Sequence, residues 1–296
     1  MADIPRRPLG ATGLEVSALG LGGGQVGNSG LPEPVAERLL NQALDLGVNL
    51  IDTARGYGQS EARIGQYLGH RRAELVLSTK VGYGVAGVPD WTADAVRLGI
   101  DEALQTLRTD WIDIVHLHSC SLEVLQRGEV ITALEQARLA GKVRVAAYSG
   151  ENAALDFAVA SGRFQAVQTS ISLADQRNLA GALPQMQASG LGVIAKRPVA
   201  NAPWRFDTRP YGHYAEEYWY RWQTMRLDRR GLDWQELALR FVAFLPGVHS
   251  CIVGTANAEH LAQNAKLLAR GPLPAEQVDE IRRAFQAHDD DWMGLT

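Results

Sequence analysis

Four side chains stand where short apolar runs give way to polar loops, and together they can manage a proton. Asp52 closes the run 49–52, and Tyr57 follows five residues later. Lys80 closes the run 75–80, and His118, with His116 two places before it, closes the run 112–118. A carboxylate, a phenol, an ammonium and an imidazole on one rim meet the needs of hydride transfer to or from a carbonyl. As hydride reaches carbon, negative charge builds on oxygen and an acid must meet it. A free tyrosine, with a pKa of about 10, donates poorly at neutral pH. A nearby ammonium favours the phenolate and lowers that pKa, and a carboxylate keeps the ammonium charged and oriented. An imidazole can hydrogen-bond the substrate oxygen and fix its position. Singly, each residue has a plainer reading: the Asp caps a loop, the Tyr or His packs, the Lys is solvated. The case rests on all four converging.

What must position them is an alternation of short β-branched runs with helical patterns. The runs are 16–21, 49–52, 75–80, 112–118, 143–148, 166–170, 192–196 and 251–254. Apolar residues three and four apart mark helices over 34–46, 62–68, 92–107, 129–140, 153–160, 180–188, 233–244 and 257–269. Nearly continuous apolar strands are buried on both faces, as in a parallel sheet, and eight strand–helix units make a closed barrel. The pattern alone also admits a doubly wound open sheet. Gly47, Gly141, Gly162 and Gly190 each end a helical stretch ahead of a strand. The least regular stretch, 199–228, holds eight aromatic residues and is a long loop of the kind that is usually functional. The tail from 272 to 296 carries one more helix.

At 296 residues the chain fits one α/β barrel domain spanning 1–296, with extended βα loops and a C-terminal tail. A net charge of −4 without a basic run argues against nucleic acid or an anionic membrane as partner. No apolar stretch is long enough to span a bilayer, and no signal peptide is read at the N-terminus. Two distant cysteines, Cys120 and Cys251, fit a reducing cytoplasm. No metal is expected, because no carboxylate stands at ligand spacing from His116 and His118. No motif speaks to oligomeric state.

The segment Ile51-Asp-Thr-Ala-Arg-Gly-Tyr-Gly-Gln-Ser-Glu61 resembles the signature of the aldo-keto reductase family. Leu77-Ser-Thr-Lys-Val81 is similar to that family's lysine strand. Trp111-Ile-Asp-Ile-Val-His-Leu-His118 is similar to its histidine strand, where an aspartate precedes the histidine by five positions. That spacing selects His118; strand periodicity alone leaves His116 equally eligible, since both face one side. The likeness runs from Leu9-Gly-Ala-Thr-Gly-Leu-Glu-Val-Ser17 to Ile252-Val-Gly-Thr255. It implies a TIM barrel that moves hydride between a nicotinamide cofactor and an aldehyde, ketone or corresponding alcohol. Tyr57 is then the general acid, Lys80 and Asp52 its pKa partners, and His118 the substrate orienter.

On the cofactor side, no Gly-x-Gly-x-x-Gly follows a strand, so a Rossmann dehydrogenase is disfavoured. The resemblance implies Ser149 and Gln168 at the nicotinamide carboxamide, with Gly22 and Asp52 near the ring. It also implies Gly254, Thr255, Asn257, His260, Gln263 and Asn264 at the adenosine phosphates, opening a helix whose N–H groups suit a phosphate. The sequence departs from the family pattern in places. Gly150 follows Ser149 where Asn is frequent, and Lys196-Arg197-Pro198 replaces a stacking aromatic. Those two cations either pair with cofactor phosphates or face solvent. Gly254, His260 and Gln263 stand where Lys, Arg and Glu are frequent, which weakens a strict preference for the phosphorylated cofactor. NADP(H) is the family expectation and NAD(H) the alternative.

Tyr83, Trp91, Trp204 and Trp292 are candidate substrate walls, for a sugar ring or a flat carbonyl, while several loop aromatics are expected only to pack. Two other functions compete with carbonyl reduction: a sugar 1-dehydrogenase, and a cofactor-binding regulatory barrel without turnover.

Overall fold

A computed structural model describes residues 4–295. Two short strands, β1 (Arg6–Pro8) and β2 (Glu15–Ser17), form an antiparallel hairpin. Eight more strands close a parallel barrel: β3 (Leu19–Gly22), β4 (Leu50–Asp52), β5 (Val76–Val81), β6 (Ile112–His118), β7 (Val143–Ser149), β8 (Ala166–Ser170), β9 (Gly192–Lys196) and β10 (Ser250–Gly254). Each neighbours the next, and β10 returns to pair with β3. This is a single-domain (β/α)8 TIM barrel.

The helices follow from apolar stripes that need a cover. Along the chain they are α1 (Glu33–Asp45), α2 (Ser60–Leu68), α3 (Ala93–Leu107), α4 (Leu122–Arg127), α5 (Glu129–Leu139), α6 (Asn152–Ala160), α7 (Arg177–Ala180), α8 (Ala182–Ala188), α9 (Glu216–Met225), α10 (Trp234–Ala243), α11 (Ala258–Leu268) and α12 (Ala275–His288). In α1, Ala36, Leu39, Leu40, Ala43 and Leu44 are buried at the spacing of one helical face. Thr92 caps α3 by accepting from the Ala95 N–H at 3.2 Å, which satisfies one of the donors a helix start leaves open. Gly47, Gly141, Gly162 and Gly190 all hold positive φ, as their places after helices require.

The core has two layers. Outward-facing strand residues such as Leu77, Val115 and Val193 pack under the helices. Inward-facing Leu50, Val76, Ile114, Val145, Ala166, Ile194 and Ile252 fill the barrel, together with Leu9, Leu14 and Val16 from the hairpin end. Each such side chain, fully buried, contributes roughly 1.5–3 kcal/mol. The lumen is thus packed at the base, and polar side chains gather at the carboxyl end.

Three sequence expectations change. The run 16–21 is two strands rather than one, divided at Ala18, because the first half pairs with the hairpin and the second with the barrel. The stretch 180–188 breaks at Gly181, whose φ/ψ of −88°/−102° is not helical. The long loop contains α9, a ten-residue helix.

Candidate active site

Strand register builds the rim. Asp52 on β4 lies beside Ser78 on β5, and Lys80 beside His116 on β6. His118 lies beside Ser149 on β7, and Ser149 beside Gln168 on β8. Alternation sends Ile114 into the barrel core, so His116 and His118, two and four residues on, share its side. Tyr57 comes from the turn after β4. Its N–H bonds Ala54 O at 2.9 Å, and its carbonyl accepts from Ser60 N–H at 3.0 Å. That turn is in turn held by Gln59 N–H on Gly27 O at 3.0 Å.

The four predicted side chains come together on one cleft of about 600 Å³, within the range of small-molecule sites. Lys80 Nζ donates to Asp52 Oδ2 at 2.6 Å and to the Thr53 carbonyl at 2.8 Å. The same ammonium stands 5.0 Å from the centre of the Tyr57 ring. The Tyr57 and His118 rings meet edge to face, 6.2 Å apart. Asp52 Oδ1 accepts from Ser78 Oγ at 2.8 Å and from Gln168 Nε2 at 2.9 Å, so both carboxylate oxygens are engaged. His116 does not line this cleft. It is wholly buried, with Nε2 3.1 Å from Ser78 Oγ.

Burial and charge oppose each other here. Burial pushes the Asp52 carboxyl up, but the Lys80 ammonium, His116 and the bonds from Lys80 and Gln168 outweigh it and hold Asp52 below the usual carboxylate range. Burial pushes Lys80 down, and Asp52, with Tyr57 and Tyr83 beside it, more than reverses this, so the ammonium is held above its ordinary value. Burial, reinforced by Lys80 and Lys196, drives His118 down to about 3, so it is a neutral imidazole at physiological pH. The result is a fixed ion pair, a neutral ring and a phenol on one wall: a group that stays charged beside one that can exchange a proton.

The candidate cofactor residues fall in two groups. Gly22, Asp52, Ser149, Gln168, Lys196, Arg197 and Gly254 line the cleft. Thr255, Asn257, His260, Gln263 and Asn264 do not. Asn257 caps α11 by accepting from Glu259 N–H at 2.8 Å, and Asn264 is buried and accepts from Gln235 Nε2 at 3.0 Å. His260 and Gln263 are exposed on the first turns of α11. Ser149 Oγ donates to Gln168 Oε1 at 3.1 Å, which ties the proposed carboxamide pair to Asp52.

The charges lining the cleft test its fit to a dinucleotide. Apart from the paired Asp52 and Lys80, its charged side chains are cationic: Lys196, Arg197 and Arg205, with His213 beside them. Arg197 and Arg205 form no ion pair among the described residues; Arg197 instead bonds Ser170 Oγ at 3.0 Å, the Tyr214 hydroxyl and the Leu295 carbonyl. Two guanidinium groups without a carboxylate at a cleft wall suit a phosphorylated ligand. Arg205, His213, Tyr214 and Asn201 escape a reading of the sequence, because nothing in the loop's composition says which side chains turn inward.

The substrate-wall candidates separate too. Tyr83 and Trp91 are not among the cleft's lining residues: the Tyr83 hydroxyl lies 2.8 Å from Nδ1 of His118, which does line it, and Trp91 packs on Tyr83, ring centres 5.7 Å apart. Trp204 lies outside the cleft, stacked on Trp234 at 6.3 Å. Trp292 packs against Phe285 and the Arg221 guanidinium. Of the loop aromatics only Tyr214 faces the cavity; Tyr218 is buried and donates to Asp175 at 3.0 Å.

With this fold and site the chain matches the model of the aldo/keto reductase family over residues 18–285, and it belongs to that family. It is therefore a nicotinamide-dependent oxidoreductase acting on small molecules that carry a carbonyl or the matching alcohol. Its relatives include L-galactose dehydrogenase of Arabidopsis thaliana, 29% identical over 89% of this chain and 88% of the relative. D-threo-aldose 1-dehydrogenase of a Pseudomonas species is 27% identical over 93% and 95%. An aldo-keto reductase from Bacillus halodurans, solved in its holo form, superimposes with a TM-score of 0.82 at 26% identity, covering 95% of this chain and 96% of that one. Among the described residues no helix is long and apolar enough to cross a membrane.

Proposed function

We propose that the protein reduces an aldehyde or ketone, and reversibly oxidises the corresponding alcohol, with Tyr57 as general acid. One observation carries this reading: the Lys80 ammonium, locked on Asp52 at 2.6 Å, stands 5.0 Å from the Tyr57 ring on the cleft that His118 also lines. A fixed cation beside the phenol stabilises the negative charge that develops there as the proton passes to the substrate oxygen. His118, neutral, hydrogen-bonds the substrate oxygen and holds it toward Tyr57. Asp52 keeps the ammonium in place without touching substrate. Ser149 and Gln168 hold the nicotinamide carboxamide, and Lys196, Arg197 and Arg205 face the phosphates. When bound, the cofactor gives or takes the hydride.

The cofactor is NADP(H), with NAD(H) the alternative. A guanidinium on a 2′-phosphate is worth roughly 1.5–3 kcal/mol as a charge-assisted hydrogen bond. The segment from Gly254 to Asn264 contains neither Lys nor Arg to make one.

The test is a panel of aldehydes, ketones and aldoses, with both cofactors and in both directions, on wild type and Tyr57→Phe. The variant is expected to lose about 10²-fold or more in turnover, the usual worth of a general acid, while cofactor affinity holds. Wild-type turnover in Tyr57→Phe, where chemistry limits the rate, overturns the assignment.

A further inference from the structure

We propose that Tyr83 is a positioning residue that fixes the tautomer of His118, its hydroxyl donating to Nδ1 so that the ring proton stays on Nε2. This rests on reading His118 as the residue that meets the substrate oxygen. A neutral imidazole has two tautomers, and only the nitrogen that carries hydrogen can donate to a carbonyl.

The geometry selects one. Tyr83 Oη and His118 Nδ1 are 2.8 Å apart, with ring centres at 5.4 Å. Either the phenol donates to an unprotonated Nδ1, or Nδ1–H donates to the phenol oxygen. The second arrangement leaves the phenolic hydrogen without a protein acceptor, because Tyr83 has no other hydrogen-bond acceptor among the described residues. It also aims a second donor at an oxygen that the Gly56 backbone already faces. Burial pushes the Tyr83 phenol up, the Gly56 N–H offsets only part of that, and the hydroxyl keeps its proton. His118 is held neutral, so one ring nitrogen is free to accept. With Nδ1 engaged, Nε2 is the nitrogen left for a ligand in the cleft that His118 lines.

The backbone around Tyr83 is shaped for this contact. A Cβ on Gly56 would lie 2.7 Å from the Tyr83 hydroxyl, and a Cβ on Gly82 would lie 2.5 Å from the Trp91 ring. Gly82 also holds φ at +118°, a conformation L side chains avoid. Trp91, with its N–H on Gly82 O at 2.6 Å, then backs the Tyr83 ring. A tyrosine placed only as a substrate wall needs neither approach.

The experiment is ¹⁵N NMR of histidine-labelled protein, which separates the two tautomers by the shifts of Nδ1 and Nε2, with the His118 signals assigned by their loss in His118→Asn. Wild type is expected to show His118 protonated on Nε2. Tyr83→Phe, which keeps the ring on Trp91, is expected to shift the Nδ1 resonance and move the His118 titration to higher pH. It is also expected to lower kcat about five- to tenfold, the scale of one hydrogen bond, with cofactor affinity unchanged. A wild-type His118 protonated on Nδ1 overturns the proposal, as does a Tyr83→Phe spectrum identical to wild type even if kcat falls. A failure of the reading beneath it shows elsewhere, as full turnover in His118→Asn.

Discussion

Glu151 and Lys196 meet at 3.2 Å behind the cleft wall, the carboxylate completely buried and the ammonium lining the cavity. Glu151 also accepts from Thr169 Oγ1 at 2.6 Å and from Ser170 N–H at 2.7 Å. Lys196 is therefore a held charge, not a free arm. Glu151→Gln strands it, and breaking such a buried pair from one side costs about 3–5 kcal/mol. Adding Lys196→Met is expected to restore most of that loss. Urea unfolding of the two singles and the double gives the coupling directly; additive effects show that the pair does not interact.

Among the described residues Arg205 has no acidic partner, and it faces the same cavity. If it meets a cofactor phosphate, Arg205→Gln raises the Kd for NADPH about five- to tenfold and flattens its dependence on salt. Fluorescence titration at low and high ionic strength measures both. An unchanged Kd places the guanidinium in solvent.

Trp204, by contrast, is bound into a cluster with Trp234 and Trp222, the latter two edge to face at 5.2 Å. Trp204→Leu is expected to lower stability by about 1–3 kcal/mol, as for a partly collapsible core site, and to leave the substrate KM within threefold. A large KM change with unaltered stability makes it a substrate wall after all.

The contrast between Trp204 and Lys80 shows what the sequence could and could not disclose. Asp52, Lys80 and His118 end strands, and the rule that barrel sites gather at carboxyl ends gives their placement without any side-chain detail. Tyr57 needs only one turn. Trp204 sits in a loop where no periodicity fixes direction, so its type alone made it a wall candidate. The helix Glu216–Met225 hides for a related reason: four aromatic residues in ten blur its stripe, and no side chain caps its start. The Glu151–Lys196 contact joins residues 45 apart, and only barrel closure through β7, β8 and β9 brings them together.

Asp175 adds a pH dependence to stability. Burial, with Glu151 nearby, raises its carboxyl to about 7 in the fold, against an unfolded value near 3.9. The folded state thus keeps a proton that the unfolded chain loses, and stability falls as pH rises from about 4 to about 7. Asp175→Asn removes that slope while leaving an acceptor for Tyr218. Urea midpoints at pH 5 and pH 8 are expected to differ more in wild type than in the variant. Equal differences mean that Asp175 is ionised throughout.

The ion pair beneath Tyr57 yields the sharpest pH prediction. Lys80 is fully buried, and burial by itself favours the neutral amine; Asp52 is the largest of the influences, with Tyr57 and Tyr83, that raise its pKa above the ordinary 10.5. In Asp52→Asn the burial remains and the counter-charge is gone, so Lys80 loses its proton at lower pH. Activity that needs the ammonium then declines as pH rises through this lowered Lys80 pKa, whereas in wild type the Lys80 proton itself is kept to beyond the ordinary lysine value. The kcat–pH profile of the variant is expected to show its alkaline limb displaced downward, with reduced turnover even on the plateau. Replacement by Asn keeps an acceptor for Ser78, so the profile reports charge more than shape. Superimposable alkaline limbs in the two proteins show that the Lys80 proton is irrelevant to turnover, and the role given to Tyr57 then loses its support.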